Sequence, residues 1–331
     1  MSRALIGLGS NLGDRAEALD HAVQMLRALP QSCVLAQSRW HRTAPIGGPA
    51  GQGEFLNGAV LLETTLAPYR LFEALQSVED RLGRERTERW AARTLDLDLL
   101  LYDSVTLKTS RLVVPHPRMA FRRFVLESAA EVAADMVHPG IGWTIAQLLE
   151  HLKTAPAYAA ITGPPGVGKS RLARALAESQ AGVFLPDPLD SLGGAAGFPS
   201  GPTLAAEIEL LDRRAALLNA ERWPNRDRLT VTDFWFDQSR TYGDAGLDHD
   251  AKPTFYDHWE RARRGVLAPK LLVILEPPDA RPPTPQEWTL TGLARLNFHV
   301  HELTTGPVLS VRSATAAEQL AEVCAAVEAM K

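Results

Sequence analysis

The sequence predicts two successive domains, an α+β domain followed by an α/β domain with a parallel, doubly wound sheet. Its length of 331 residues is ample for two packed cores at roughly 150 residues per domain. The pattern of strands and helices restarts near Thr154-Ala155-Pro156, which predicts domains over 1–153 and 157–331. Before this point strand-like segments neighbour one another as in hairpins, and after it strands alternate with helices.

Hydrophobic periodicity defines the elements of the first domain. In the clearest helix, a proline suits the first turn, and Leu71, Leu75 and Val78 recur at helical spacing. The predicted elements are a strand over 4–8, a helix over 15–29, strands near 33–43 and 55–64, a helix from 68 to about 82, a strand over 94–102 and short helices ending near 151.

Short apolar runs separated by helical segments define the second domain. A strand over 157–162 runs directly into a glycine-rich loop and an amphipathic helix. Alternation of this kind is typical of a parallel, doubly wound sheet. The further strands are predicted over 183–185, 229–232, 271–275 and 308–311.

Composition and charge limit the class of protein. Hydrophobic residues make up 45% of the chain and charged residues 22%, which are ordinary globular values. No apolar run approaches the roughly 18 residues of a membrane helix, so we expect a cytoplasmic protein with no membrane contact. The net charge of −4 argues against nucleic acid as a partner. The distant Cys33 and Cys324 are expected to be buried, unreactive thiols.

A pair of aspartates lies two residues apart in the segment RTLDLDLLLY, residues 93–102. On a strand, Asp96 and Asp98 point to one face, roughly 7 Å apart at the backbone, while the leucines at odd positions over 95–101 cover the other. Neighbouring carboxylates repel each other unless a cation lies between them, and Mg²⁺ prefers oxygen ligands. The pair therefore indicates a magnesium site, and the alternative is two solvated carboxylates on a half-exposed strand.

Basic residues flank this pair in the sequence. Guanidinium groups fork onto phosphate oxygens, so acids beside several arginines predict a polyphosphate site. Some of these arginines lie near other acids and are plain solvated charges. The basic residues on either side are Arg81, Arg84, Arg86, Arg89, Arg93, Arg111, His116, Arg118, Arg122 and Arg123, with Trp90 among them.

Five short motifs follow one another along the first domain. They are GLGSNLGD (7–14), RTAPIG (42–47), FLNGAV (55–60), ERWAARTLDLD (88–98) and VPHPRM (114–119). With these motifs in this order, residues 1–153 resemble the hydroxymethyldihydropterin pyrophosphokinase family. The resemblance implies a ferredoxin-like α+β fold and a role in folate biosynthesis. It also implies transfer of the β,γ-pyrophosphoryl group of ATP to the hydroxymethyl oxygen of a dihydropterin, with release of AMP.

The resemblance assigns roles to single residues. Asp96 and Asp98 would hold two Mg²⁺ ions between the ATP phosphates, and Arg86 and Arg93 would stabilise the transferring group. Phe55 stands where some members have tyrosine, which keeps a ring for stacking. Positions that match the ATP and phosphate site are Gln76, Glu79, Arg86, Trp90, Arg93, Arg111, His116 and Arg122, and those that match the pterin pocket are Thr43, Pro45, Ile46, Phe55, Asn57 and Phe124.

The segment GPPGVGKS, residues 163–170, follows an apolar strand and precedes an amphipathic helix. Such a segment, here with Gly163, Gly166 and Gly168, wraps phosphates with backbone N–H groups and a helix N-terminus. Lys169 would add a positive charge near the β and γ phosphates, and the Ser170 hydroxyl would ligate Mg²⁺. A chance glycine-rich turn is the alternative.

Four further segments follow the glycine-rich loop, namely PDPLDSL (186–192), LLDRRAALL (210–218), TVTDFWFDQS (230–239) and LLVILEPP (271–278). With these segments, the second domain resembles the deoxynucleoside kinase family of P-loop proteins. The resemblance implies that Asp187 deprotonates the acceptor hydroxyl and that Asp233 serves the metal or its water shell. The chain departs from the family in its aspartate base, usually a glutamate, and in Phe234, where an Asp-Arg-Ser motif carries arginine. A helix cap is the alternative for Asp187.

Several functions stay open at this level. The second domain could be a nucleoside kinase, another small-metabolite kinase, or a nucleotide-binding module without a transfer reaction, and a homodimer through it is possible. Arg213, Arg214, Arg281 and Arg295 could supply positive charge there, although such residues are more often on the surface. For the whole chain, the rival class is an RNA-binding protein that uses the arginine and tryptophan loop.

Overall fold

The computed structural model describes residues 1–48, 51–83, 94–192, 203–221, 223, 228–277, 302–303 and 306–331. Their fold divides into two compact units. The first unit comprises Met1–Thr154 together with Ala325–Lys331, and the second comprises Ala155–Cys324.

The first unit has the α+β character that its sequence predicts. Its elements are β1 (Ser2–Ser10), α1 (Arg15–Arg27), β2 (Ser32–Gln37), β3 (His41–Thr43), β4 (Phe55–Thr64), α2 (Pro68–Arg81), β5 (Asp96–Tyr102), β6 (Leu107–Lys108), β7 (Val113–Val114), α3 (Arg123–Ala133) and α4 (Ile145–Thr154). The main sheet has the strand order β2-β4-β1-β5, β3 also pairs with β4, and every one of these pairings is antiparallel. The predicted hairpin-like neighbours are therefore confirmed.

One face of this sheet forms the core together with α1 and α2. Alternate residues of β1 point into this core, namely Ala4, Ile6 and Leu8, as the two-residue period of a strand requires. Leu71 and Leu75 of α2 are four residues apart, lie on one side of the helix, and are fully buried in the same core. The other residues of β1 and β5 are left for the opposite face.

The last part of β5 reverses its alternation. Leu97 and Leu99 lie in the core, as predicted, and so does Tyr102. Leu101 instead lies opposite Leu5, because the pairing of β5 with β1 shifts by one residue after Leu99. The prediction that Leu101 shares a face with the other odd-numbered leucines is wrong, since an extra residue in one strand of a pair reverses the facing of the residues beyond it.

The second unit contains a parallel sheet. Its elements are β8 (Tyr158–Thr162), α5 (Lys169–Ser179), β9 (Val183–Leu185), α6 (Leu204–Leu217), β10 (Thr230–Thr232), α7 (Gln238–Gly246), α8 (Lys252–Arg263), β11 (Leu271–Leu275), β12 (Val308–Val311) and the start of α9 (Ala316–Ala329). The strand order is β12-β11-β8-β10-β9, with all pairings parallel. The parallel sheet that strand and helix alternation predicted is confirmed.

Two observations bear on the remaining sequence expectations. None of the helices in the described ranges combines the length and the apolar character needed to cross a membrane. The expectation for the cysteines is wrong, because Cys33 is exposed and Cys324 is only half-buried. Cys33 lies on β2, an edge strand whose residues alternate between half-buried and exposed, so its side chain points outward.

Candidate active sites

The two aspartates of β5 lie across from glycines of β1. Asp98 pairs with Gly7, and Asp96 pairs with Gly9. On its other side Gly9 pairs with Asn57 of β4. Because residues directly opposite each other in a sheet share a face, both carboxylates and the Asn57 amide project from one side. Between them the middle strand presents bare backbone.

The glycines of β1 are site residues that sequence reasoning missed. A Cβ atom on Gly9 would lie 3.0 Å from Asn57 Oδ1, which is closer than real side chains tolerate without a shift. The signal was present in the sequence, because Gly7 and Gly9 flank Leu8, and Leu8 is a core residue. The two-residue period therefore places both glycines on the face away from the core.

Glu79 of α2 is tied to the aspartate strand. It is 2% exposed, and its Oε1 accepts the backbone N–H of Leu97 at 2.7 Å. Leu97 lies between the two aspartates, and β5 is an edge strand of the main sheet. The carboxylate thus satisfies a buried edge N–H and fixes the strand segment that carries Asp96 and Asp98.

His116 lies beside the second aspartate. Its Nε2 is 3.8 Å from Asp98 Oδ2, and its side chain is 19% exposed. Burial lowers the pKa of His116, against the opposing effect of Asp98, so the ring is neutral near pH 7. Its Nδ1 accepts the backbone N–H of Arg118 at 3.2 Å, which assigns the ring proton to Nε2. The ring therefore offers an N–H donor next to the aspartate pair.

The other predicted phosphate ligands lie in different surroundings, and three of them are outside the described residues. Arg122 places its guanidinium carbon 5.8 Å from the centre of the Phe124 ring, which brings a predicted phosphate ligand to a predicted pterin ligand. Arg111 is 68% exposed and lies 3.9 Å from Glu73 of α2. Gln76 is half-buried on the same helix. Arg86, Trp90 and Arg93 lie outside the described residues.

Three of the predicted pterin residues are brought together on β3 and β4. Thr43 pairs with Phe55 across the two strands, and Asn57 Nδ2 donates to Thr43 Oγ1 at 2.7 Å. Asn57 is buried, whereas Phe55 is half-buried. Pro45 and Ile46 follow β3 and are half-buried. An oriented amide beside a half-buried aromatic residue suits a flat, hydrogen-bonding ligand.

The donor set of the first site fits magnesium held together with phosphate. Within the described ranges, no group of three or more His, Cys, Asp or Glu residues could hold a metal ion by itself. Mg²⁺ is usually held by one or two carboxylates plus substrate phosphates, and it keeps several waters. Asp96 and Asp98, half-buried on one face, supply the protein's share of such a site.

The glycine-rich loop of the second unit joins β8 to α5, as the sequence predicts. Gly163 has a φ of +150°, and a Cβ atom there would lie 2.3 Å from the carbonyl oxygen of Leu275, so only glycine fits. Gly168 has a φ of +94° and caps α5, whose first residues are Lys169 and the exposed Ser170. Strand, loop and helix thus have the arrangement that a phosphate-binding loop requires.

Lys169 and two aspartates meet at this loop. Lys169 Nζ donates to the carbonyl oxygens of Gly163 at 3.0 Å and Pro164 at 2.9 Å, and burial lowers its pKa while Asp233 and Asp187 oppose that effect. Asp233 Oδ1 accepts the backbone N–H of Asp187 at 2.7 Å. These residues follow the carboxyl ends of β8, β9 and β10, where parallel sheets bind their ligands.

Asp187 is held by a buried arginine. Arg214 Nε donates to Asp187 Oδ1 at 3.0 Å, and Arg214 Nη2 donates to Asp187 Oδ2. Asp187 also accepts the backbone N–H of Leu189 at 3.2 Å, at the start of the short 3-10 helix Pro188–Leu192. The capping role that the sequence left open is therefore present together with the ion pair.

Arg214 was expected on the surface, and its side chain is 1% exposed. The reason is helical periodicity, because Leu210, Leu211, Arg214 and Leu218 are all buried on one side of α6. The neighbouring Arg213 is 43% exposed, as expected. Arg281 and Arg295 lie outside the described residues.

The aspartate pair of the first unit, with its bare glycine partners, suits phosphoryl-type transfer, the chemistry of kinase-type transferases. The model of the family described as 7,8-dihydro-6-hydroxymethylpterin-pyrophosphokinase matches residues 5–134. The 2-amino-4-hydroxy-6-hydroxymethyldihydropteridine pyrophosphokinase of Synechocystis sp. is 41% identical over 149 residues, which cover 45% of this chain and 75% of the relative. The chain belongs to this pyrophosphokinase family.

Solved structures resemble the chain at low sequence identity. A NadR protein in complex with NR has a TM-score of 0.45 and 13% identity, covering 54% of this chain and 52% of that one. Deoxyadenosine kinase from M. mycoides with bound products has a TM-score of 0.41 and 13% identity, covering 53% of this chain and 100% of that one. The chain thus spans about half the length of the NadR chain.

Proposed function

We propose that residues 1–153 transfer the β,γ-pyrophosphoryl group of ATP to the hydroxymethyl oxygen of 6-hydroxymethyl-7,8-dihydropterin in folate biosynthesis, and that residues 157–331 phosphorylate a deoxynucleoside. The observation that carries the first activity is the pair Asp96 and Asp98, which face Gly9 and Gly7 on the same side of the sheet as Asn57. A ferredoxin-like arrangement of the first unit and a doubly wound second unit belong to this proposal. So does a cytoplasmic location.

In the first site Asp96 and Asp98 would hold Mg²⁺ together with the triphosphate. When bound, the metal would offset the charge of the phosphates. The alcohol oxygen of the pterin attacks the β-phosphorus, the bond from that phosphorus to the α-phosphate bridging oxygen breaks, and AMP leaves with the electron pair while the hydroxyl proton passes to water. His116 offers its Nε2 proton to a phosphate oxygen beside Asp98, and Arg122 offers a guanidinium next to Phe124.

The pterin is positioned by the residues of β3 and β4. The Asn57 amide, oriented by Thr43 Oγ1 at 2.7 Å, reads the donor and acceptor groups on the ring edge. Phe55 and Phe124 supply ring surfaces for stacking. Arg86, Arg93 and Trp90 complete the proposed site, with the arginines on the transferring group.

The first activity is tested by Asp96→Asn in the full chain. This change keeps the side-chain shape and removes the charge that holds the metal, so AMP formation should fall by about 100-fold or more. Asp135→Asn is the matched control, because Asp135 is 72% exposed and pairs with Arg3 at the surface. Its turnover should stay within about twofold of the parent. Substantial AMP formation by Asp96→Asn would refute the metal assignment.

In the second site the loop residues hold ATP and the acids act on the acceptor. Gly163, Gly166 and Gly168 give the loop its conformation, Lys169 leaves its own carbonyl partners to bind the β and γ phosphates, and Ser170 would ligate Mg²⁺. Asp187 accepts the proton of the acceptor hydroxyl, and Asp233 would serve the metal or its water shell. The observation that carries this activity is the convergence of Lys169, Asp187 and Asp233 at one edge of the sheet.

A panel of deoxynucleosides, offered to the full chain with ATP, tests the second activity. ADP and a nucleoside monophosphate should form, and Lys169→Ala should remove that turnover. Product with another metabolite only would favour a different small-molecule kinase. ATP binding that survives Asp187→Asn, with no turnover of any acceptor, would favour a nucleotide-binding module. Light scattering of the same preparation tests the homodimer that we propose through the second unit.

A further inference from the structure

Helix α6 contributes a buried cation to the second site. Arg214 is 1% exposed, whereas its partner Asp187 is 16% exposed. The guanidinium therefore lies behind the carboxylate, and the carboxylate keeps the accessible position. Arg214 Nη1 donates to Ser239 Oγ at 2.8 Å, and its two other nitrogens donate to Asp187. Every nitrogen of the guanidinium thus has a partner in one fixed orientation.

Phe234, which stands where the resembling family has arginine, packs against Arg214. Phe234 follows Asp233 directly, is fully buried, and has its ring centre 5.5 Å from the guanidinium carbon of Arg214. A guanidinium carried by residue 234 itself would therefore occupy the neighbourhood that Arg214 now fills from α6. The aromatic face stabilises the cation where it is.

We propose that Arg214 is the positioning residue of the second site, which holds the Asp187 carboxylate in the orientation that receives the acceptor's proton. This inference rests on the kinase function proposed above. An isolated buried ion pair contributes little to stability, and apolar residues of similar volume often serve as well. A two-point arginine fork instead fixes the plane and direction of a carboxylate, which is what a proton acceptor needs.

Arg214 is chemically unchanged when the phosphoryl group passes from ATP to the acceptor. The acceptor oxygen forms a bond to the γ-phosphorus of ATP, the bond from that phosphorus to the β-phosphate bridging oxygen breaks, and ADP leaves with the electron pair. The hydroxyl proton moves to Asp187, which becomes a neutral acid beside the arginine cation. Arg214 touches neither substrate nor phosphate in this scheme, and it acts through Asp187.

The charges around Arg214 agree with Asp187 as the group that it holds. The ionisable groups that face it are Asp187, Glu207 on its own helix and Tyr242 on α7, and Lys169 interacts with it from the loop. Without Arg214, the Asp187 carboxylate loses both of the side-chain hydrogen bonds that fix its plane.

The experiment compares Arg214→Gln with Arg261→Gln in the full chain. For Arg214→Gln we expect kcat for the nucleoside to fall by about 100-fold, with KM for ATP little changed. Arg261→Gln is the matched control, since Arg261 is exposed and donates to the carbonyl oxygen of Asp257 on its own helix. Its kinetics should equal those of the parent.

Two further variants separate positioning from folding. Arg214→Lys keeps the charge without the fork, and it should lose about tenfold in kcat. Phe234→Arg added to Arg214→Gln returns a guanidinium to the same neighbourhood, and it should recover part of kcat. A KM for ATP like that of the parent in the nucleoside reaction reports that the second unit of each variant is folded.

The outcomes distinguish this inference from the function on which it rests. Turnover of Arg214→Gln like that of the parent, while Asp187→Asn is inactive, would overturn the positioning role and leave the kinase intact. Equal loss in Arg214→Gln and Arg214→Lys, with no recovery on adding Phe234→Arg, would also overturn it. No turnover by the parent with any acceptor would overturn both.

Discussion

His138 illustrates how a single buried ring sets a pH dependence. Burial lowers the pKa of His138 to about 4, and its Nδ1 has no hydrogen-bond partner within the described part of the chain. The unfolded chain therefore takes up a proton near pH 6.5, whereas the folded chain does so only near pH 4. The unfolding free energy is therefore not reduced by this group above about pH 6.5, and it decreases as the pH falls toward 4.

The prediction for His138 is a difference between two proteins at two pH values. Lowering the pH from 7.5 to 5 should cost the parent about 2 kcal/mol more of unfolding free energy than His138→Gln. Urea titrations at both pH values measure this difference. Comparing the two proteins cancels the contributions of other groups with shifted pKa values. The lowered pKa of His116 acts in the same direction as that of His138, and the raised pKa of Asp237 acts oppositely, but both groups are present in both proteins. A His138 NMR signal that titrates near pH 6.5 would contradict the prediction.

At the scale of residues, spacing predicted which side chains share a face where one segment holds the whole signal. Asp96 and Asp98 are two residues apart on a strand, and the structure sets both on one face. Arg214 could not be assigned in this way, because its role depends on Asp187, which is 27 positions away in the chain. Glu79 likewise reaches the aspartate strand through a backbone N–H, a contact that no local pattern encodes.

The N-terminus of helix α1 is fixed by Asp14, the residue that precedes the helix. Asp14 Oδ1 accepts the backbone N–H of Glu17 at 3.0 Å, which satisfies one of the unpaired donors of the first turn. Asp14→Ala should lower the unfolding free energy by about 1 kcal/mol, and Asp14→Asn should leave it nearly unchanged because asparagine caps equally well. Urea unfolding of the two variants checks this. Equal loss in both would show that charge, not the cap, is what matters.

Elements with strong local patterns were predicted closely. The strands β9, β11 and β12 have the bounds that the sequence indicated, and α2 ends one residue before the expected position. The segment near 33–43 was predicted as strand and forms two separate strands, β2 and β3, which pair with different parts of β4. That division is set by the register against β4, which is information that neither segment contains by itself.

The whole molecule combines two compact units, and each unit contains one proposed site. Because each has its own core, a change of charge in one site should leave the other intact. Asp96→Asn should retain its ADP-forming nucleoside turnover, and Lys169→Ala should retain AMP formation, each within about twofold of the parent. Assaying both activities on both variants measures this. Loss of both activities in either variant would show that the units depend on each other.

The shift in the pairing of β5 with β1 divides a strand of seven residues into two parts whose even-numbered side chains lie on opposite faces of the sheet. Its opening residues carry the charges that we assign to the metal, whereas its closing residue, Tyr102, serves the apolar interior and donates its hydroxyl to the carbonyl of Leu66. An uninterrupted ladder would have turned Tyr102 toward the charged side. The irregularity thus allows one short strand to present carboxylates on one side and still bury its last residue on the other.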